Sequence, residues 1–229
     1  MYAKGIPTNN FGYNNLGATA VRPYGGTEST YEDQSLASVM GSVTYSLLDR
    51  YLLSVNARGD GSSMVGDDNT WGFFPSVSFT WDMKKENFLT NVKPLSMLKL
   101  RTGLGQAGNL GGISAYTTMN TVRQTGIVPV TSSPTVTLGM VRNNNPDLRW
   151  ETKTTFNIGA DFGFFANRIM FTAEYYYSKT SDMLYAYEVP VPPFAYNTLL
   201  ANIGSMSNRG LELGLSVQPI SKKDMELNI

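Results

Sequence analysis

The chain has 229 residues, 18 Lys plus Arg against 18 Asp plus Glu, and neither Cys nor His. Those absences remove the usual zinc, copper, haem and iron-sulfur ligand sets and the Ser-His-Asp and Cys-His catalytic units and leave only carboxylate, hydroxyl or Lys chemistry; with the plain readings of the remaining motifs given below, no metal, cofactor or enzyme activity is expected, and the neutral balance lacks the electrostatic footprint of a nucleic-acid binder. Charged residues are only 16 % and aromatics 12 %, which suits a membrane interface, but no run approaches the roughly 20 apolar residues of a spanning helix, leaving strands or surface binding.

Apolar residues recur at period two in short runs bounded by Gly, Asn, Pro and Ser, and predict seven complete strands. The first sets Val39, Gly41, Val43, Tyr45 and Leu47 against Ser38, Met40, Ser42, Thr44 and Ser46. The second sets Tyr51, Leu53, Val55 and Ala57 against Leu52, Ser54, Asn56, Arg58 and Asp60. In the third, Phe73, Val77, Phe79 and Trp81 alternate with Phe74, Ser76, Ser78, Thr80 and Asp82, with Pro75 near the start, where a strand end or unpaired position tolerates it. The fourth places Leu98, Leu100 and Leu104 opposite Lys99 and Arg101. The fifth opposes Trp150, Phe156, Ile158, Ala160 and Phe162 to Glu151, Lys153, Thr155, Asn157 and Asp161. The sixth opposes Ile169, Phe171, Ala173, Tyr175 and Tyr177 to Thr172, Glu174, Tyr176 and Ser178, and the seventh Leu211, Leu213, Leu215 and Val217 to Glu212, Ser216 and Gln218.

Within these spans every charge lies on the polar face, and the first breach comes at Lys179, which marks the expected membrane boundary. Aromatics of the apolar face gather toward strand ends, while Val43, Val55, Val77, Ile158, Ala173 and Leu213 occupy the middles. That resembles two aromatic girdles around an aliphatic band. The connections run short (48 to 50), long (61 to 72), medium (83 to 97), very long (106 to 147), short (163 to 168), long (179 to 210) and short (219 to 224). Short periplasmic turns alternating with long external loops are the habit of transmembrane barrels. The medium connector is expected to hold a helical turn near Lys84 to Leu89. An eighth alternation starts at Met225 and stops at Ile229, and Met1 to Pro7 has no export signal; both fit a fragment of a longer barrel. Residues 1 to 37 are expected to form an external loop segment and 38 to 229 a partial barrel.

Several ordered blocks resemble the SusC/RagA family of TonB-dependent outer-membrane transporters. They are Arg58-Gly59-Asp60-Gly61-Ser62-Ser63, Trp71-Gly72-Phe73-Phe74-Pro75-Ser76-Val77-Ser78, and Leu98-Lys99-Leu100-Arg101 with Gly105 and Gly108-Asn109. Next come Asn145-Pro146-Asp147-Leu148-Arg149-Trp150-Glu151-Thr152, Asp161-Phe162-Gly163-Phe164-Phe165-Ala166-Asn167-Arg168 and Glu174-Tyr175-Tyr176-Tyr177. The series ends with Asn202-Ile203-Gly204-Ser205-Met206-Ser207-Asn208-Arg209-Gly210-Leu211-Glu212-Leu213. Met64-Val65 and Thr102-Gly103-Leu104 depart from the family pattern. The resemblance implies an all-β, antiparallel up-and-down meander of about 7 to 8 strands from the C-terminal half of a barrel of about 22 strands with a plugged lumen. It also implies partners: a SusD-like surface lipoprotein, the TonB complex acting through an N-terminal part, outer-membrane lipid, and a glycan or peptide substrate. The implied location is the outer membrane of a Gram-negative bacterium.

Other patterns have plainer readings. Gly103-Leu104-Gly105-Gln106-Ala107-Gly108 fits G-x-G-x-x-G, but Asn109-Leu110-Gly111-Gly112 opens no helix and no acid follows before Asp147, so it reads as a flexible strand exit rather than a dinucleotide site. Asp67-Asp68-Asn69 has too few oxygens for calcium and reads as a solvated turn. Arg58, Asp60, Lys99, Arg101, Glu151, Lys153, Glu174 and Glu212 either line a substrate path or pair with one another or with a plug. Glu151 and Glu174 have no separation that sequence can fix for glycosidase chemistry. Tyr116, Phe194 and Tyr196 are loop aromatics able to stack on sugar rings or touch a partner, and no substrate-binding residue is singled out. Two competing architectures remain at this stage: a complete eight-stranded structural barrel and a soluble β-sandwich.

Overall fold

Alternation of this kind specifies register as well as face, because slipping a strand by one residue would turn its whole apolar set to the other side. The computed structural model describes residues 31–130, 133–222 and 225–227, with the isolated positions Asn14 and Ser29. Most of the 1 to 37 segment therefore lies outside the described residues. The strands are β1 (Leu36–Leu47), β2 (Tyr51–Ser62), β3 (Trp71–Asp82), β4 (Leu95–Asn109), β5 (Val122–Val130), β6 (Ser133–Met140), β7 (Glu151–Phe164), β8 (Ile169–Glu188), β9 (Thr198–Val217), β10 (Ile220–Lys222) and β11 (Met225–Leu227). Seven form one antiparallel sheet in the order β1-β2-β3-β4-β7-β8-β9, each beside its predecessor in that series.

Two rows summarise the sheet. Val43, Val55, Val77, Leu104, Phe156 and Tyr177 are successive cross-strand partners on one face. One residue away, Ser42, Asn56, Ser76, Gly105, Thr155, Ser178 and Asn208 are partners on the other. Among the described residues nothing packs as a second layer on the apolar face: Val43 is 69 % and Leu213 63 % exposed. A sandwich would bury that face against another sheet, so the soluble-sandwich reading is set aside. β1 and β9 are not paired with each other, so these strands do not close a small barrel either.

Turns sort the two ends of the sheet. At one end, Leu48 and Asp49 both take positive φ, 53° and 52°, between β1 and β2, which is the backbone of a tight hairpin whose twist matches the strands. The turn from β7 to β8 at the same end is closed by Asn167 and Ser96, whose hydroxyl donates to the Asn167 side chain at 2.9 Å and accepts from its backbone N–H at 2.9 Å. The connector from β3 to β4 belongs to this end too. It contains the expected helical turn, shifted slightly to Met83–Lys85, and Lys84 Nζ donates to the carbonyls of Leu89, Thr90 and Val92.

Glu86 pins that connector to the barrel. Its carboxylate receives the Tyr51 hydroxyl at 2.6 Å, the Trp81 indole N–H at 3.1 Å and Arg50 at 2.7 Å. The Tyr51 and Trp81 hydrogen bonds, then Arg50, hold the Glu86 carboxyl below the ordinary glutamate range. Because its folded pKa is depressed, this contribution is complete above the unfolded value and is lost as pH falls through the folded one. Acidification from neutrality is therefore expected to release residues 83 to 94, read as faster amide exchange there. In Glu86→Gln the same segment should exchange faster at neutral pH and lose its acid-dependent step.

Three expectations are corrected. The 179 to 210 connection is mostly strand, since β8 continues to Glu188 and β9 begins at Thr198. Register shifts between Thr180, Met183 and Leu184, with Asp182 at φ 56°, break the period of two that marked the lower strand. The 106 to 147 connection starts after Asn109 and holds a hairpin of its own, β5 with β6. Met225–Leu227 pairs back onto Ile220–Lys222 instead of adding an eighth strand to the meander; residues 228 and 229 lie outside the described residues.

Candidate lumenal surface and loop clasp

The polar face carries the charges, and their arrangement is built by small residues. Arg101 on β4 and Glu174 on β8 sit in one cross-strand row with Gly159 of β7 between them. A Cβ on Gly159 would press within 3.3 Å of the Arg101 guanidinium and 3.4 Å of the Glu174 carboxylate. The glycine lets Arg101 reach across, pairing with Asp161 at 2.7 Å and Glu174 at 3.2 Å. Thr172 donates to Asp161 at 3.2 Å and Asn157 to Glu174 at 3.3 Å, completing a network across three strands. Nearer the loops, Arg58 pairs with Asp60 at 2.7 Å, and Ser38 donates to the same carboxylate. Of the sequence-selected charges, Lys99, Glu151, Lys153 and Glu212 have no ion-pair partner among the described residues, and Glu212 faces Glu174 directly in the register.

Above these charges a cavity of about 710 Å³ opens beside Met40, Arg58, Asp60, Phe74, Asn109 and Trp150. Phe74 is the apolar exception on the polar face of its strand. Its ring is 6 % exposed and meets Trp150 edge-on at 5.6 Å. Gly72 and Gly108 leave the space for it: a Cβ on Gly72 would lie 2.5 Å from Phe74 Cζ, and one on Gly108 would overlap the ring. The G-x-G-x-x-G segment is thus interior to β4 rather than a flexible exit, and its last glycine is a packing site. Gly108→Ala is expected to cost about 1–3 kcal/mol through overpacking. Gly41→Ala, with nothing within 4 Å of the added methyl, should leave the thermal unfolding of the parent barrel unchanged.

The true core of the described residues lies in the loops. Met64, Val65, Ile113 and Leu148 are buried together, flanked by Leu110, Trp150, Leu184 and Leu200. Met64-Val65, a departure from the family pattern, is part of this core. Asparagines bind the strap 141 to 150 onto the upper β8–β9 arm. The Asn143 amide donates to the carbonyls of Tyr196 and Thr198 at 2.6 and 2.8 Å and accepts from the N–H groups of Ala195 and Tyr196 at 3.0 and 3.2 Å. Asn145 donates to Leu200 O at 2.8 Å, and Asn202 reaches back, donating to Arg149 O at 2.8 Å and accepting from Arg149 N–H at 3.0 Å. Arg149 pairs with Asp182 at 2.6 Å, and Gly66 N–H donates to Leu148 O at 2.8 Å.

The other candidates make contacts within the described residues. Glu151 accepts from Asn109 at 2.7 Å and from Leu184 N–H at 3.2 Å, so it and the ion-paired Glu174 serve two different networks. Asp67–Asn69 is a 3-10 turn whose Asn69 amide donates to Asp147 O at 3.4 Å. No cluster of carboxylates among the described residues is grouped to hold a metal. Tyr116 accepts from Asp33 N–H at 3.0 Å and Tyr196 donates to Met140 O; Phe194 closes a backbone turn onto Pro190. Sequence reasoning missed Asn143 and Arg209. The first bonds to backbone some 50 residues away, while Arg209 lies on the apolar face opposite Tyr177, on the loop side of Leu211, where the seventh strand is expected to start.

An open antiparallel meander, apolar and uncovered on one side and charged on the other, with tight turns at one end and packed loops at the other, is the wall of a transmembrane β-barrel. The sequence matches the family described as TonB dependent receptor-like, beta-barrel over residues 3–228. The chain belongs to that family. It is 39 % identical over 192 residues to the TonB-dependent receptor SusC of Bacteroides thetaiotaomicron, covering 83 % of this chain and 19 % of that protein. It is 34 % identical over 223 residues to the TonB-dependent receptor P26 of Formosa agariphila, covering 93 % and 21 %. Among solved structures it superposes on the RagAB peptide importer in the open-open state with TM-score 0.75 and 26 % identity, over 89 % of this chain and 22 % of that one. The siderophore receptor PirA of Pseudomonas aeruginosa shares the fold at TM-score 0.53 and 13 % identity, covering 85 % and 33 %. The chain spans about a fifth of the length of the curated relatives it matches. The SusC/RagA resemblance and the antiparallel barrel architecture both stand.

Proposed function

We propose that this chain is part of the wall and external loops of an outer-membrane TonB-dependent transporter that takes up glycans or peptides under a SusD-like lipoprotein lid. The reading is carried by one observation, the opposition of an uncovered aliphatic face to a networked charged face across seven strands. On this reading the apolar face meets lipid, Arg58, Asp60 and the Arg101 network face the lumen or a plug, and residues 1 to 37 belong to an external loop. The open edges of β1 and β9 pair with further strands, since an unpaired backbone group in a bilayer costs several kcal/mol. Support for the substrate class comes from relatives: SusC is a TonB-dependent receptor and RagAB is a peptide importer.

The test is uptake by intact cells carrying or lacking the parent gene, offered labelled oligosaccharides and oligopeptides with and without a protonophore. Uptake of one class should require both the gene and the energised membrane. Gene-independent or protonophore-insensitive uptake of both classes would contradict the proposal. Affinity purification of the tagged parent from detergent extracts should bring down a surface lipoprotein in near-stoichiometric amount.

A further inference from the structure

The lipid-facing side of the seven-stranded sheet is free of charge from Ala37 on β1 through every outward position of β2, β3, β4 and β7. Among the described residues below the Thr180–Met183 bulge, its only charges are Lys179 of β8 and Arg209 of β9. They are neighbours: Tyr177 pairs with Arg209 and Lys179 with Ser207, so the two cations stand diagonally across adjacent strands. Such a diagonal is roughly 7–8 Å, within reach of long side chains converging on one group. Both are exposed, and neither has a hydrogen-bond or ion-pair partner among the described residues.

Their height is informative. Beneath them on the same two strands lie Tyr175, Ala173, Leu211, Leu213 and Leu215. Level with Lys179 the face turns polar, with Thr154 as its partner on β7 and Gln106 beyond it donating to Thr154 at 3.3 Å. An unpaired Lys or Arg is far more costly at the bilayer midplane than near the interface. The pair therefore sits where hydrocarbon gives way to headgroups, on the side of the long loops, which is the outer leaflet.

We propose that Lys179 and Arg209 hold the phosphate of an anionic outer-leaflet lipid against the barrel wall. The guanidinium offers a planar fork matched to phosphate and the ammonium a second point charge. The aliphatic strip directly below, continuous with the pair, selects a lipid over a free phosphate, because acyl chains can lie on Leu211 and Leu213 while the headgroup reaches the cations. The inference rests on the reading that this face meets lipid.

The parent protein, reconstituted in phosphatidylethanolamine nanodiscs containing bisphosphorylated lipid A or its dephosphorylated form, is examined by native mass spectrometry after release. Wild type should retain the phosphorylated form preferentially. Lys179→Gln with Arg209→Gln should lose about tenfold of that retention, the scale of lost charge-assisted bonds, while Lys179→Arg with Arg209→Lys keeps it. Equal retention of the two lipids by wild type, or undiminished retention by the double glutamine variant, would overturn the proposal and leave the barrel reading intact. Failure of wild type to enter nanodiscs would defeat both. Heat-modifiable gel migration verifies that each variant is folded, and a double glutamine variant that cannot fold shifts the decision to the wild-type preference and the arginine-lysine exchange.

Discussion

Val55→Lys is expected to destabilise the parent barrel by about 2–4 kcal/mol, whereas Asn56→Lys, one residue along the same strand, should cost far less. Val55 stands in the middle of the aliphatic row between Val43 and Val77, so an ammonium there has neither water nor a counter-charge within reach. Asn56 points to the other side, where its amide donates to Ser76 and its oxygen accepts from Ser42. A lysine at 56 exchanges two modest hydrogen bonds for a hydrated cation in a polar lumen. Denaturant titration of refolding into lipid vesicles measures both variants, and equal losses would refute the assignment of faces.

Leu148→Ala is expected to weaken the loop cluster by about 2–5 kcal/mol, the range for truncating a large buried aliphatic side chain. Leu148 is 0 % exposed and sits against Met64, Val65 and Ile113, the point where three connections meet. The loss should be local. Strap 141 to 150 and the turn at 63 to 70 would open and exchange amides faster, with the spanning strands unchanged, because stability is distributed in separable units. Limited proteolysis of intact cells provides the readout, with new cleavage in those two segments.

The spanning half of each strand was legible because lipid and lumen impose opposite chemistry at every second residue. Ile158 and Asn157, or Leu213 and Glu212, declare their faces by type alone. That pressure ends above the bilayer. From Lys179 upward both sides of β8 and β9 meet water or loops, Asp182 inserts a bulge, and the strands look like connection. The β5–β6 hairpin carries a readable signal in the β-branched run around Ile127 and Val128 and again at Val136, inside a span, 106 to 147, that otherwise reads as one long connection. The clasp could not be read at all. Asn143, Asn145 and Asn202 act on backbone groups some 50 residues distant, and an asparagine in a loop has the same composition whether it holds a strap or a water. Arg209 was overlooked for a related reason: it follows Asn208 in a polar stretch, and only pairing with Tyr177 reveals that it shares the lipid face.

The absence of cysteine in residues 1–229 makes the central claim directly measurable. Single cysteines at positions 53, 54, 55 and 56 of the parent protein, spin-labelled and reconstituted in bilayers, report collision with oxygen, which concentrates in hydrocarbon, or with a water-soluble nickel chelate. The account predicts oxygen-dominated relaxation at 53 and 55 and nickel-dominated relaxation at 54 and 56. An unbroken trend along the four positions, or the opposite alternation, would contradict a wall with lipid on the valine side and a polar lumen on the asparagine side.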